Sequence, residues 1–336
     1  MGLLPVPRGE RSERLLCALA GAPGAMPALD ATPPEDPLAD EDLQLALYLC
    51  YELHYRGLPG VSELWEWEPS LLAARRELEQ PFEMALLEVL GAPGDGPSAE
   101  GMDLALRAVA DADGSPSLSR HLERHGTLAQ MLEFIVHRSA YQLKEADPHS
   151  WAIPRLTGAP KAALVEIQAD EYGGGDPERI HARLYATTMA GLGLDSAYGA
   201  YLERIPGFTL AAVNLMSMLG LHRRWRGAIV GHLALFEMSS AVPSRRYGNA
   251  LRRLGFGPEV TDFFDEHVAA DAVHESIAAV DLAGGLARQD PRLAADVLWG
   301  ARALTEVDGR AAAQVLGAWE QGESSLLSPL PELVVG

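Results

Sequence analysis

Apolar residues recur along this chain at intervals of three and four, the spacing of one helix face, and no regular alternation bounded by hairpin turns marks a strand. The fold class that follows is all-α. A short leading helix is expected near residues 10 to 20, followed by the Pro/Gly-rich stretch "GAPGAMPALDATPPEDP". Further helices are expected through "LADEDLQLALYLCYELHY" and "EPSLLAARRELEQPFEMALLEVLG", the second stopped by Gly91 and Pro93. A loop, "GAPGDGPSAEG", closes this leading part. Beyond it the pattern predicts helices at about 127–146, 158–172, 177–191, 207–220, 224–239, 244–254, 257–283 and 290–320. The organisation expected is an N-terminal accessory helical region at 1–112, a multi-helix bundle at 113–325 and a C-terminal tail at 326–336, with no internal repeat.

Composition narrows the classes. The chain has 336 residues, 48% of them hydrophobic and 22% charged, which is a globular rather than a disordered balance. Its formal charge of −20 argues against nucleic acid or an anionic membrane as partner, since both need clustered Lys and Arg. Only Cys17 and Cys50 are present, so neither a disulfide framework nor a thiolate metal site is indicated. The N-terminus has no apolar stretch of signal-peptide length, and the run from Phe208 to Leu221 is cut off by "HRRWRG" before it could span a bilayer. Gly2 is not followed by Ser or Thr at position 6, so a myristoyl anchor is not expected. A cytoplasmic location is the expectation.

The chemistry starts at "DEHVAADAVHE". His267, Asp271 and His274 stand at offsets of zero, four and seven, and at about 100° per residue they share a stripe roughly 60° wide. Helical bundles converge on metals with such stripes of His and carboxylate. The other half of a site is sought in "LVEIQADEYGGGDPERIHARLY", where Glu166, Asp170 and Glu171 end one helix. Three glycines, 173 to 175, break it, Pro177 restarts the next, and His181 follows one turn on. One helix back, Glu145 stands where Pro148 forces a turn. Glu145, Glu171, His181, His267, Asp271 and His274 make an oxygen-and-nitrogen donor set, suited to iron or manganese. Carboxylates bridge cations, which allows a dinuclear centre.

The segments "EIQADEYGGG", "IHARLY", "FEMSSAVPSRRYGNALRRLGF" and "FFDEHVAADAVHE" together resemble the bacterial iron-containing redox enzymes of the haem-oxygenase-like diiron oxidase and oxygenase superfamily, over about residues 115 to 325. The resemblance implies a haem-oxygenase-like helical bundle. In it Glu145 is the early-helix glutamate, Glu171 and His181 are the pair ten residues apart, and His267, Asp271 and His274 are the final His-x3-Asp-x2-His helix. Glu133 and Asp147 are near enough in sequence to compete with Glu145. Glu237, in "HLALFEMSS", is a further candidate carboxylate, with burial against the arginines of "SRRYGNALRR" as its alternative. The resemblance further implies two Fe(II) ions, with manganese as the other candidate, and use of dioxygen to oxidise a small amino-acid-like or fatty-acid-like molecule. An external electron donor would accompany it. A homodimer is expected on general grounds.

Two other kinds of protein could carry such residues. A haem protein needs one axial imidazole in an apolar pocket, not six polar ligands. A metal-free binding or scaffold protein would use the same residues as an internal hydrogen-bonded network. Glu52 and His54, two apart on a helix, point away from each other and are expected to serve packing and hydrogen bonding. The apolar stretch "FTLAAVNLMSMLGL" is expected to be core rather than the wall of a lipophilic pocket.

Overall fold

Helices carry the architecture. The structure, a computed structural model, describes residues 4–29 and 32–331, apart from the side chains of Asp271 and Ala272, and holds no β-strand among them. In chain order the helices are α1 (Glu10–Leu19), α2 (Glu41–Glu52), α3 (Pro69–Leu90), α4 (Met102–Asp111), α5 (Leu118–Arg124), α6 (Leu128–Gln142) and α7 (Asp147–Ser150). There follow α8 (Gly158–Glu171), α9 (His181–Gly191), α10 (Gly207–Leu221), α11 (Arg226–Arg253), α12 (Pro258–Ser276), α13 (Gly285–Gln289) and α14 (Ala294–Glu320). No helix among the described residues is long and apolar enough to cross a membrane. The helices sort into two units: the chain up to Ala92 with Ile205–Met218, and Pro93–Arg204 with the chain from Leu219 onward.

In the first unit, Asp40 caps α2 by accepting from the Leu43 amide at 2.7 Å. Asp42, in the first turn of the same helix, accepts from the backbone amides of Arg11 at 2.9 Å and Ser12 at 2.8 Å. Those are among the amides that the start of α1 leaves without a helical partner, so one carboxylate docks two helices. His54 sits with Nδ1 3.2 Å from a Glu66 oxygen and Nε2 against Arg75, in the hydrogen-bonding role the sequence suggested. The apolar residues of α10, among them Leu210, Val213, Leu215 and Met218, are buried.

The second unit is built around α11. Its neighbours α12 and α14 pack along it, and against α14 the approach is close enough to need glycine on both sides. A Cβ on Gly231 would lie 1.7 Å from the Val297 carbonyl oxygen, and one on Gly300 would lie 1.9 Å from that of Ala228. The sequence predicted two helices here, 224–239 and 244–254, with Pro243 between them. They are one. Proline removes one ladder bond and costs about 3 kcal/mol in a helix interior, which the packing of both halves offsets.

Other boundaries moved for local reasons. The helix expected from 177 begins at His181, because the Asp176 side chain accepts from the Glu178 amide at 3.0 Å and holds the preceding residues in a turn. The run expected at 257–283 is α12 continued by a π-helical segment, Ile277–Gly284. Four short helices, α4, α5, α7 and α13, were not predicted; with 10, 7, 4 and 5 residues they give little periodicity to read.

Candidate metal centre

Five elements of the second unit deliver the candidate ligands. Glu145 was expected at the end of a helix, but α6 stops at Gln142 and Glu145 lies in the turn before α7. That turn is made by Ala146 at φ 72°, the one non-glycine residue with positive φ among those described. Such backbone costs on the order of 1–3 kcal/mol and persists where its surroundings fix it. Here Gln168 of α8 donates to the Ala146 carbonyl at 2.8 Å. The sequence competitors of Glu145 are engaged elsewhere. Glu133 accepts from Trp319 Nε1 at 2.8 Å and from the Ser325 amide at 2.9 Å, and Asp147 accepts from the Tyr172 hydroxyl at 2.9 Å.

Glu171 closes α8 and His181 opens α9. Between them Gly173, Gly174 and Gly175 all have positive φ, at 74°, 59° and 95°. A Cβ on Gly173 would stand 2.7 Å from the Ile180 nitrogen, so the chain doubles back onto itself and sets His181 beside Glu171. The His181 Nδ1 is 2.8 Å from Glu171 Oε2. From α12, His267 directs Nε2 to 3.4 Å from Glu145 Oε1. Its Nδ1 is 2.8 Å from the Phe263 carbonyl, which can only accept, so Nδ1 carries a proton and Nε2 is the nitrogen that faces the centre. His274, two turns on, has Nδ1 3.2 Å from Glu237 Oε2 and 3.9 Å from Glu171 Oε1.

The result is two donor groups with one member in common. Glu145, Glu171, His181 and His267 offer one set of atoms lying within 4.8 Å of one another, and Glu171, Glu237 and His274 offer another. Two donors held at about 2.1 Å by one ion are at most about 4.2 Å apart, so pairs near the 4.8 Å limit must draw together to share one. A void of about 10 Å³ lies among Glu145, Glu171, Glu237 and His267. Asp271, named with these residues from the sequence, has its side chain outside the described residues. Glu166 is exposed and stands apart from the cluster.

The donors fit a cation better than they fit each other. Glu145 Oε2 and His181 Nδ1 are buried and make no hydrogen bond, although the latter is in close contact with a carboxylate. Glu145, Glu171 and Glu237 are all buried. Burying carboxylates together is costly unless positive charge compensates them. Burial pushes the Glu237 carboxyl up, against the pull of His274. Burial depresses the His274 imidazole, but Glu237, Asp170 and Glu171 more than reverse it and raise it to about 9. His181 is likewise lowered by burial and raised further by Glu171. Neither cysteine belongs to either group, so the donors are oxygen and nitrogen only, a set compatible with iron.

Two features beside the centre escaped the sequence reading. Asp170, one residue before Glu171, reaches Nε2 of His274 at 3.1 Å and so orients a ring from the far side. His149 and His232 are buried with Nε2 and Nδ1 3.1 Å apart, and burial drives both to lower values, His149 to about 4. A carboxylate next to a strong candidate ligand was a signal for the first. The second pair is 83 residues apart and has no sequence pattern.

Residues 132–309 match the family described as iron-containing redox enzymes. The chain belongs to that family. Its bundle is thus haem-oxygenase-like, and the family places it among the oxidoreductases. Over 137 residues this family member is 29% identical to the nitrosourea synthase of Streptomyces achromogenes subsp. streptozoticus, a stretch that makes up 40% of this chain. It spans only 29% of the length of that enzyme.

Proposed function

We propose that this iron-containing redox enzyme holds two ferrous ions and uses dioxygen to oxidise a small organic molecule. The observation that carries the proposal is the sharing of Glu171 between two donor groups, because a carboxylate with an oxygen in each group is suited to bridge two cations. Glu145, His181 and His267 would complete one site. Glu237 and His274 would complete the other, with Asp271 as a further ligand from the same helix stripe. Ferrous iron held there would supply electrons to dioxygen and, through it, the oxidising power for the substrate. Manganese is the other metal that this donor set suits.

The chain's own residues set the conditions for that chemistry. The Phe263 carbonyl keeps the Nδ1 proton of His267 and thereby its ligating nitrogen in place. Asp170 holds the His274 ring from outside. Apolar neighbours, among them Leu233, Phe236 and Phe263, limit water around the polar cluster. An external electron donor would restore the ferrous state.

A metal-free polar network is the rival, and the hydrogen-bond distances from His274 to Glu237 and Asp170 favour it. Glu145 Oε2, buried without a hydrogen-bond donor, speaks for a cation. Anaerobic titration with ferrous iron, followed by mixing with dioxygen in a stopped-flow spectrometer, separates the two. Binding of about two irons per chain, with a transient visible band that a His267→Ala variant lacks, supports the two-iron reading. Folded protein that binds no iron would leave the network as structure alone.

A further inference from the structure

A cavity of about 160 Å³ adjoins the candidate metal centre and shares Phe236, Ser240 and His267 with its lining. An engineered protein cavity of about 150 Å³ accepts benzene, so this one has room for a body of that size. Its aromatic walls are locked by mutual packing, and Ser239, Ser240 and Ser244 line it beside them. Tyr247 stacks on Phe134 at 4.3 Å between ring centres, Phe263 meets Tyr185 at 4.8 Å, and Tyr185 is tethered through its hydroxyl to the Ile135 carbonyl at 2.8 Å. At the inner end stands buried His267. At the outer end stand Arg138 and Asp308, both partly exposed, with side-chain accessibilities of 32% and 39%.

That outer pair is incompletely satisfied. Arg138 Nη1 and Asp308 Oδ2 are 3.9 Å apart, too far for a hydrogen bond, and the guanidinium makes none among the described residues. It lies over the face of Phe236 with its carbon 5.9 Å from the ring centre. Gln142 also lines the cavity, is buried, and leaves Oε1 without a donor. A half-buried guanidinium has five N–H donors to satisfy, and a carboxylate meets two of them at once. An ammonium group complements Asp308 and the Gln142 oxygen. Both charges on one small head group fit a separated cation and anion better than either charge alone.

Resting on the two-iron reading for its chemistry, we infer that the substrate is an α-amino acid with an apolar side chain of roughly benzene size. Its carboxylate binds Arg138, its ammonium binds Asp308 and Gln142, and its side chain points inward toward His267. The three buried glutamates of the centre repel a carboxylate from the inner end and so favour the same orientation. The atom presented for oxidation therefore belongs to the side chain and not to the α-carbon.

The test uses the full, metal-free chain, so that it does not depend on iron or dioxygen. Calorimetric titration with L-phenylalanine and L-leucine is compared with 3-phenylpropanoate, which lacks the ammonium, and phenethylamine, which lacks the carboxylate. Loss of a charge-assisted contact should weaken binding about ten- to a hundred-fold. Arg138→Met should bind phenylalanine no better than the native chain binds phenethylamine, Arg138→Lys should fall between, and Asp308→Asn should erase the preference over 3-phenylpropanoate. Helical circular dichroism and melting temperature establish that each variant is folded. Equal binding of all probes, no binding of either amino acid, or discrimination that survives in folded variants overturns the inference. Iron binding by a chain that fails this test leaves the metal centre standing, and amino-acid binding by a chain that takes up no iron leaves the pocket without the redox role.

Discussion

Glu171 Oε2 and His181 Nδ1 lie 2.8 Å apart although ten positions separate the residues, because three glycines with positive φ fold the end of α8 back against the start of α9. Glu171 also faces His274 through its other oxygen, at 3.9 Å. Removing this carboxylate should therefore affect both donor groups. Glu171→Ala is expected to lower bound iron from about two per chain to less than one, whereas Glu237→Ala, which touches one group only, should leave about one. Metal analysis of the anaerobically loaded, desalted variants checks both figures.

Asp170 is exposed and donates nothing to the cluster, yet it holds Nε2 of His274 at 3.1 Å. Loss of an outer partner of a metal-bound histidine commonly costs 10- to 100-fold in affinity. Asp170→Asn is predicted to weaken iron binding by about that factor while the melting temperature of the metal-free protein changes little. A ferrous titration resolved for the two sites would locate the loss at the one that contains His274 and Glu237; unchanged affinity would count against the role.

Acid should destabilise the fold through three histidines whose burial outweighs the pull of nearby carboxylates. Burial lowers His137 and His149 to about 4, partly opposed by Glu133 and Glu145 respectively, and lowers His232 further with help from His149. Folded pKa values below the ordinary 6.5 mean that the unfolded chain binds more protons once pH falls under 6.5. The stability these residues contribute is fully present above pH 6.5 and drains as pH falls toward 4, at up to about 1.4 kcal/mol per pH unit for each. Urea midpoints measured from pH 7 to 4 should fall along that window, and His137→Gln should make the slope shallower.

The crossing of α11 and α14 leaves no room for a methyl group. Gly231→Ala would drive a Cβ into the Val297 carbonyl, and overpacking of this kind costs about 3 kcal/mol or more. Its melting temperature should drop by roughly 6–12 °C. Gly317→Ala, in open space on the same α14, should instead gain up to about 1 kcal/mol from helix propensity. Equal effects at both positions would mean that the close approach does not matter.

What the sequence made legible were features with a period or a breaker. The His267/His274 stripe, the Gly173–Gly175 break and the helical character of nearly every long segment follow from spacing alone. Glu145 was legible by type and neighbourhood, but not the left-handed Ala146 that aims it. The break expected between 239 and 244 is absent, because packing that only the folded bundle supplies outweighs the local cost of Pro243. Arg138, Gln142 and Asp308 come from α6 and α14 and meet across a cavity. No one-dimensional pattern brings such residues together, and the same holds for His149 and His232.

The candidate ligands come from a turn and four helices that run from residue 145 to residue 274, with Ile205–Met218 between them belonging to the other unit. A pair of ions held there would act as a cross-link between segments distant along the chain, and ions that bind only the native state add stability by mass action. Iron supply would then set not only whether the protein can react but how long it survives: metal-starved chains would open and be degraded sooner, and any one helix that frayed would release the ions from all the others.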